Sequence, residues 1–138
     1  MINIKDQRIF FLVYLFFSVF CFSQSNQLYY HKNPSPVESG KPIKISLTLF
    51  KEEFIKHGML FFRDKGQLSY QEVLMNYENG NWVGVIPGNR IFSNDIEYVT
   101  ILHKEDGGRI SMPLDDNPFI NPLKIQVINL ENNQKNQR

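Results

Sequence analysis

MNYENGNWVGVIPG, residues 75–88, decides the fold class. Asn79-Gly80 is the dipeptide a two-residue type I′ turn favours, because both residues accept positive φ at low cost. Beyond it, Trp82, Gly84 and Ile86 alternate with Val83 and Val85, and Pro87-Gly88 ends the run. A period of two is the mark of a strand with one buried face. The stretch therefore predicts a β-hairpin that sets Trp82 across a tight turn from Tyr77. An aromatic cross-strand pair contributes roughly 0.2–1 kcal/mol beyond an alanine pair, so hairpin or core packing accounts for Trp82 without a ligand. The competing role, a platform for a sugar ring, needs further coplanar aromatics nearby.

Working outward, the same rhythm recurs. Residues 27–31 predict an edge strand. The segment 33–42 holds three prolines and a glycine and is excluded from any central strand. Over 43–50, Ile43, Ile45, Leu47 and Leu49 alternate with Lys44, Ser46, Thr48 and Phe50, a half-buried strand. KEEFIKHG, 51–58, reads as a charged connection with room for one helical turn. Further strands are predicted over 59–63, 69–77, 96–104, 109–113 and 123–130, separated by turns at 64–67 and 105–108. In the 96–104 strand Ile96, Tyr98, Thr100 and Leu102 share one face. About seven or eight short strands with no central helix predict an all-β, antiparallel two-sheet sandwich.

The ends differ from this middle. Lys5 and Arg8 precede an uncharged run, 9–22, that is shorter than the about 20 residues a membrane span requires. Residues 1–23 read as a secretory signal peptide cleaved after Ser23, leaving Gln24 first. An uncleaved anchor and a lipid-modified Cys21 are the alternatives, the latter disfavoured by the bulky Phe20 before it. Cys21 is the sole cysteine, so the domain at 24–130 must be held by packing without disulfides. Removing Lys5, Arg8 and Asp6 from 15 basic and 14 acidic residues leaves 13 of each. That balance argues against nucleic acid and an anionic membrane surface as partners, and no membrane span is expected after cleavage. Residues 131–138, ENNQKNQR, lack any apolar side chain and read as a disordered tail or a linker.

The landmarks LFFR at 60–63, Tyr70, Met75, NGNW at 79–82, Ile86-Pro87, IEY at 96–98, DGG at 106–108 and NPF at 117–119 form a pattern. It resembles the immunoglobulin-like or fibronectin type III-like modules of exported Gram-negative envelope proteins. The resemblance implies an Ig-like sandwich, on the fibronectin-like side because no inter-sheet cysteine pair exists. It also implies that Tyr98 ties a loop to the start of the penultimate strand.

The search for chemistry is negative. His31, His57 and His103 are dispersed, without metal-ligand spacing. Glu52-Glu53, Glu105-Asp106 and Asp115-Asp116 each fall in a predicted turn. Asp115, Asp116 and Asn117 could offer oxygens to calcium but read as a solvated turn. No nucleophile elbow, phosphate loop or dinucleotide fingerprint is present. The expectation is a non-enzymatic protein without cofactor or metal. It is a protein-interaction module of the periplasm, outer membrane or cell surface, docking within or onto a larger envelope or secretion assembly. The expected contact elements are the loops 88–95 and 114–122, with Arg90, Phe92 and Phe119 as partner-binding residues. Phe92 and Phe119 could equally plug the ends of the sandwich. The alternatives are a carbohydrate-binding module using Trp82 and Tyr77, and a structural spacer at the front of a longer protein.

Overall fold

The computed structural model describes residues 27–129. The leader, Cys21 and the polar tail lie outside the described residues. The chain is all-β. Its strands are β1 (Tyr29–His31), β2 (Val37–Glu38), β3 (Ile43–Leu49), β4 (Ile55–Asp64), β5 (Gln71–Glu78), β6 (Asn81–Ile86), β7 (Asp95–Lys104), β8 (Arg109–Met112) and β9 (Leu123–Ile128). The expected strands are present with shifted ends, and β2 is added. Instead of beginning at Met59, β4 starts at Ile55, so the expected helical turn gives way to strand; a bulge between Ile55 and His57 absorbs the irregular register.

The pairing order is β1-β3-β6-β5-β4-β7-β9-β2, with β8 also on β7. This is one continuous curled sheet, and it is mixed, because β2 runs parallel to β9. The expectation of purely antiparallel pairing fails at that two-residue edge. Continuity comes from β5, which changes partner along its length. Its first part, Gln71 to Met75, pairs with β4, and Asn76 to Glu78 pair with β6. The hairpin forms as the sequence predicts: Asn79 and Gly80 have φ of 49° and 80°, and Tyr77 stands opposite Trp82.

The curl brings the inner faces of the two halves together. Ile43, Ile45 and Leu47 of β3 and Ile86 of β6 join Leu60 and Phe62 of β4 in one core. Ile96, Tyr98 and Leu102 of β7 and Ile125 of β9 complete it. Two glycines permit the close approach. A Cβ on Gly58 would lie 2.7 Å from Leu102 Cδ2 and 3.1 Å from both Met75 Cβ and Trp82 Cε3. A Cβ on Gly84 would lie 2.8 Å from Leu60 Cδ2 and 3.2 Å from Met75 Cγ.

Tyr98 is fully buried, and its hydroxyl lies 2.7 Å from Nε2 of His31. His31 Nδ1 lies 2.8 Å from the Ser46 carbonyl. A carbonyl only accepts, so Nδ1–H donates to Ser46, the tautomer in which Nε2 accepts from the Tyr98 hydroxyl. Burial, and secondarily Tyr29, push the Tyr98 hydroxyl well above its ordinary range and keep it a donor. The tyrosine thus ties β7 to β1 across the core, rather than tying a loop as the resemblance implied.

β7 is also covered on its outer face. Val99 is buried there, opposite Phe61 of β4. Phe119, from the segment between β8 and β9, packs edge-on against Phe61 and Tyr70, with ring centroids 5.3 and 5.1 Å away.

Gly58→Ala is expected to destabilise the domain by about 1–3 kcal/mol, because the added methyl must displace Leu102 or Trp82. Tyr98→Phe is expected to cost about 1–3 kcal/mol by leaving Nε2 of His31 without its donor. Urea denaturation followed by Trp82 emission measures both.

Candidate functional site

The segment 50–54 carries the chain from β3 to β4 across one pole of the fold. Two backbone bonds hold it: Phe50 N–H to the Leu28 carbonyl (3.1 Å), and Glu105 N–H to the Phe54 carbonyl (2.9 Å). It lies beside the β5–β6 and β7–β8 turns. Between them opens a groove of about 720 Å3, lined by the rings of Phe50, Phe54, Tyr77 and Trp82. Trp82 forms its floor, packed partly into the core and over Gly58. The other three rings stand in solvent: Phe54 is 82% exposed, Tyr77 64% and Phe50 56%. Single exposed apolar residues are ordinary; several converging on one concavity make this groove the candidate site. Tyr77 and Trp82 have centroids 5.4 Å apart with planes inclined at 48°. They are a packed pair, not a coplanar platform.

The groove is acidic. Its lining carries Glu52, Glu53 and Glu105 against Lys51 alone, an excess of two negative charges. Lys104, at the rim, reaches Glu53 at 3.0 Å and Asp106 at 3.5 Å. The Glu53 hydrogen bond holds the Lys104 ammonium above its ordinary range.

Below the rim, β4 and β7 set His57 beside His103, rings stacked at 4.5 Å. The sequence presents these as unrelated histidines; only the strand register joins them. Burial, then the neighbouring His57, then Arg109 lower the His103 pKa from 6.5. Among the described residues no group of three or more His, Cys, Asp or Glu is placed to hold a metal ion.

The expected contact residues lie elsewhere. Arg90 is exposed at the end of a 3-10 turn, Gly88–Arg90. Phe92 is 79% exposed, but its loop is pinned. The buried Asp64 carboxylate accepts the Phe92 and Ser93 amides at 3.1 and 3.0 Å. Phe119 is half-buried against Phe61 and Tyr70 on the outer face, not at an end of the sandwich. Above Tyr70 sits the Arg63 guanidinium, 4.3 Å from the ring centroid and paired to Glu97 at 2.7 Å. Asp115 and Asn117 spend their side chains on turn amides, of Asn117 and Phe119 respectively, as a solvated turn does. Phe50 and Phe54 were not singled out by the sequence; the available signal was two aromatics bracketing a charged connection.

No family model matches the chain, and no curated protein matches it. Among the described residues no helix is long and apolar enough to cross a membrane.

Because the His103 pKa is lowered on folding, the unfolded chain binds the proton more readily. Stability is therefore complete above about pH 6.5 and falls as pH drops from there towards the lowered folded value. The urea midpoint is expected to be lower at pH 5.5 than at pH 7.5, and the difference to shrink in His103→Gln. Asp106, held low chiefly by the Gly108 amide, acts only below its ordinary 3.8 and leaves this window clear.

Proposed function

We propose that the chain is an exported, non-catalytic protein-interaction module of the bacterial cell envelope, in the periplasm or on the outer surface. It is an immunoglobulin-like, fibronectin type III-like sandwich that docks within or onto a larger envelope or secretion assembly. The leader pattern, the landmark residues and a core shared by the inner faces of β3–β6 and β4–β7–β9 support the class. The single observation that carries the docking role is the set of exposed rings, Phe50, Phe54 and Tyr77, around one open groove. The groove, rather than the pinned 88–95 loop, is the favoured surface.

A second reading, carbohydrate binding, draws on the presence of Tyr77 and Trp82 in that groove. Their 48° inclination lets a sugar stack on one ring but not across both.

A photo-crosslinking amino acid placed at position 54, at 92 and at 68 in cells of the source bacterium separates these. Leu68, almost fully exposed on a turn, serves as the control. A discrete protein adduct from position 54 and none from 68 is expected. An adduct from 92 alone moves docking to the 88–95 loop. No adduct at either, with glycan-dependent emission of the sole tryptophan, Trp82, makes the module a sugar binder.

A further inference from the structure

We infer that the groove receives a cationic side chain, arginine or lysine, carried on an extended segment of a protein partner. The inference rests on the groove being the docking surface and specifies what that surface recognises. Two independent properties of the lining converge on a cation. The first is its aromatic content: Phe50 and Phe54 of the 50–54 crossover, Tyr77 of β5 and Trp82 of β6 line one concavity. Aromatic faces carry a negative quadrupole and attract ammonium and guanidinium groups placed over them. The second is charge: Glu52, Glu53 and Glu105 line the same space against Lys51. Lys104 does not cancel this excess, since it is shared between Glu53 and Asp106. Glu52 and Glu105 thus remain to face an incoming cation.

Neither property alone selects a ligand. Rings without carboxylates would accept any apolar side chain, and carboxylates without rings would hold a hydrated ion loosely. Together they favour a group that is positively charged and tolerates desolvation against a ring. Guanidinium fits best, because it stacks on aromatic planes and forks to a carboxylate at once. The volume, about 720 Å3, exceeds what one cationic head group fills and leaves room for neighbouring residues of the segment. The rest of the domain offers a contrast. Arg63 over Tyr70 beside Glu97 is the same combination of groups already satisfied within the chain.

The test uses three pools of seven-residue peptides without tryptophan, randomised except at the centre, which holds arginine, leucine or glutamate. Binding is read from Trp82 emission and from backbone amide NMR shifts. The arginine pool is expected to bind best. Glu105→Gln and Glu52→Gln are each expected to weaken it about three- to tenfold, and added salt to weaken it further. Tyr77→Leu, which keeps apolar area but loses the ring face, is expected to weaken the arginine pool and spare the leucine pool. Equal binding of the three pools, or preference for leucine or glutamate, overturns the cationic ligand. So does a position-54 crosslink that forms unchanged in a Glu52→Gln, Glu105→Gln chain, while leaving the docking surface standing. Loss of the position-54 crosslink in the unmodified chain removes the docking surface itself.

Discussion

The fold depends on how closely β4 and β6 can approach where the sheet turns back on itself. β5 is the hinge line: it leaves β4 after Met75 and takes up β6 at Asn76. Met75 is buried at that change of partner, between Gly58 on one side and Gly84 on the other. Any side chain at either glycine would meet Met75, and at Gly58 also Leu102 and Trp82. Without those two gaps the sheet would open, and the residues on its two halves would lose their shared core. Hydrophobic burial drives the closure, but at this line it is backbone shape that allows it.

The same approach places the groove. Trp82 continues the inward face of β6 past Gly84, and the space above Gly58 is where its ring rests. The tryptophan therefore closes the end of the core from inside and forms the floor of the groove from outside. Tyr77, directly opposite it on β5, is the more exposed of the pair and becomes wall rather than floor. Packing against the core and lining the groove are therefore compatible roles for this one ring.

What could be read from the sequence was whatever local chemistry dictates. Asn79-Gly80 specifies its turn through backbone torsion alone, and the alternation at 43–49 specifies which face is buried, whereas 96–104 carries apolar residues on both faces and β7 buries both from Tyr98 to Leu102. What could not be read depended on distant partners. β2 is two residues among prolines, and nothing local announces its parallel seat on β9. Ile55 to Gly58 look like a charged connection until β7 supplies the pairing edge that makes them strand. The stack of His57 on His103 exists only through register, and the groove exists only because the crossover and two turns meet at one pole. Phe119 was legible as a choice between plug and contact. Its observed place, against Phe61 and Tyr70 on the outer face, was not legible, because no spacing rule connects the three rings.

Phe119 and Phe54 also show why exposure here carries meaning. Both are phenylalanines in irregular segments that leave a strand. One was given partners: the rings of Phe61 and Tyr70 receive Phe119. The other was given none within the described residues, although Tyr77 and Trp82 line the same hollow. A sequence under selection only for stability would have little reason to keep an 82% exposed phenylalanine beside two acidic residues, because it gains no burial and favours association. Retaining Phe54, Phe50 and Tyr77 around a floor that the core already holds rigid gives a surface whose apolar area is released only when something enters. In the proposed docking role, the carboxylates beside those rings would select among entrants, repelling an acidic segment and leaving an apolar one without compensation for their desolvation.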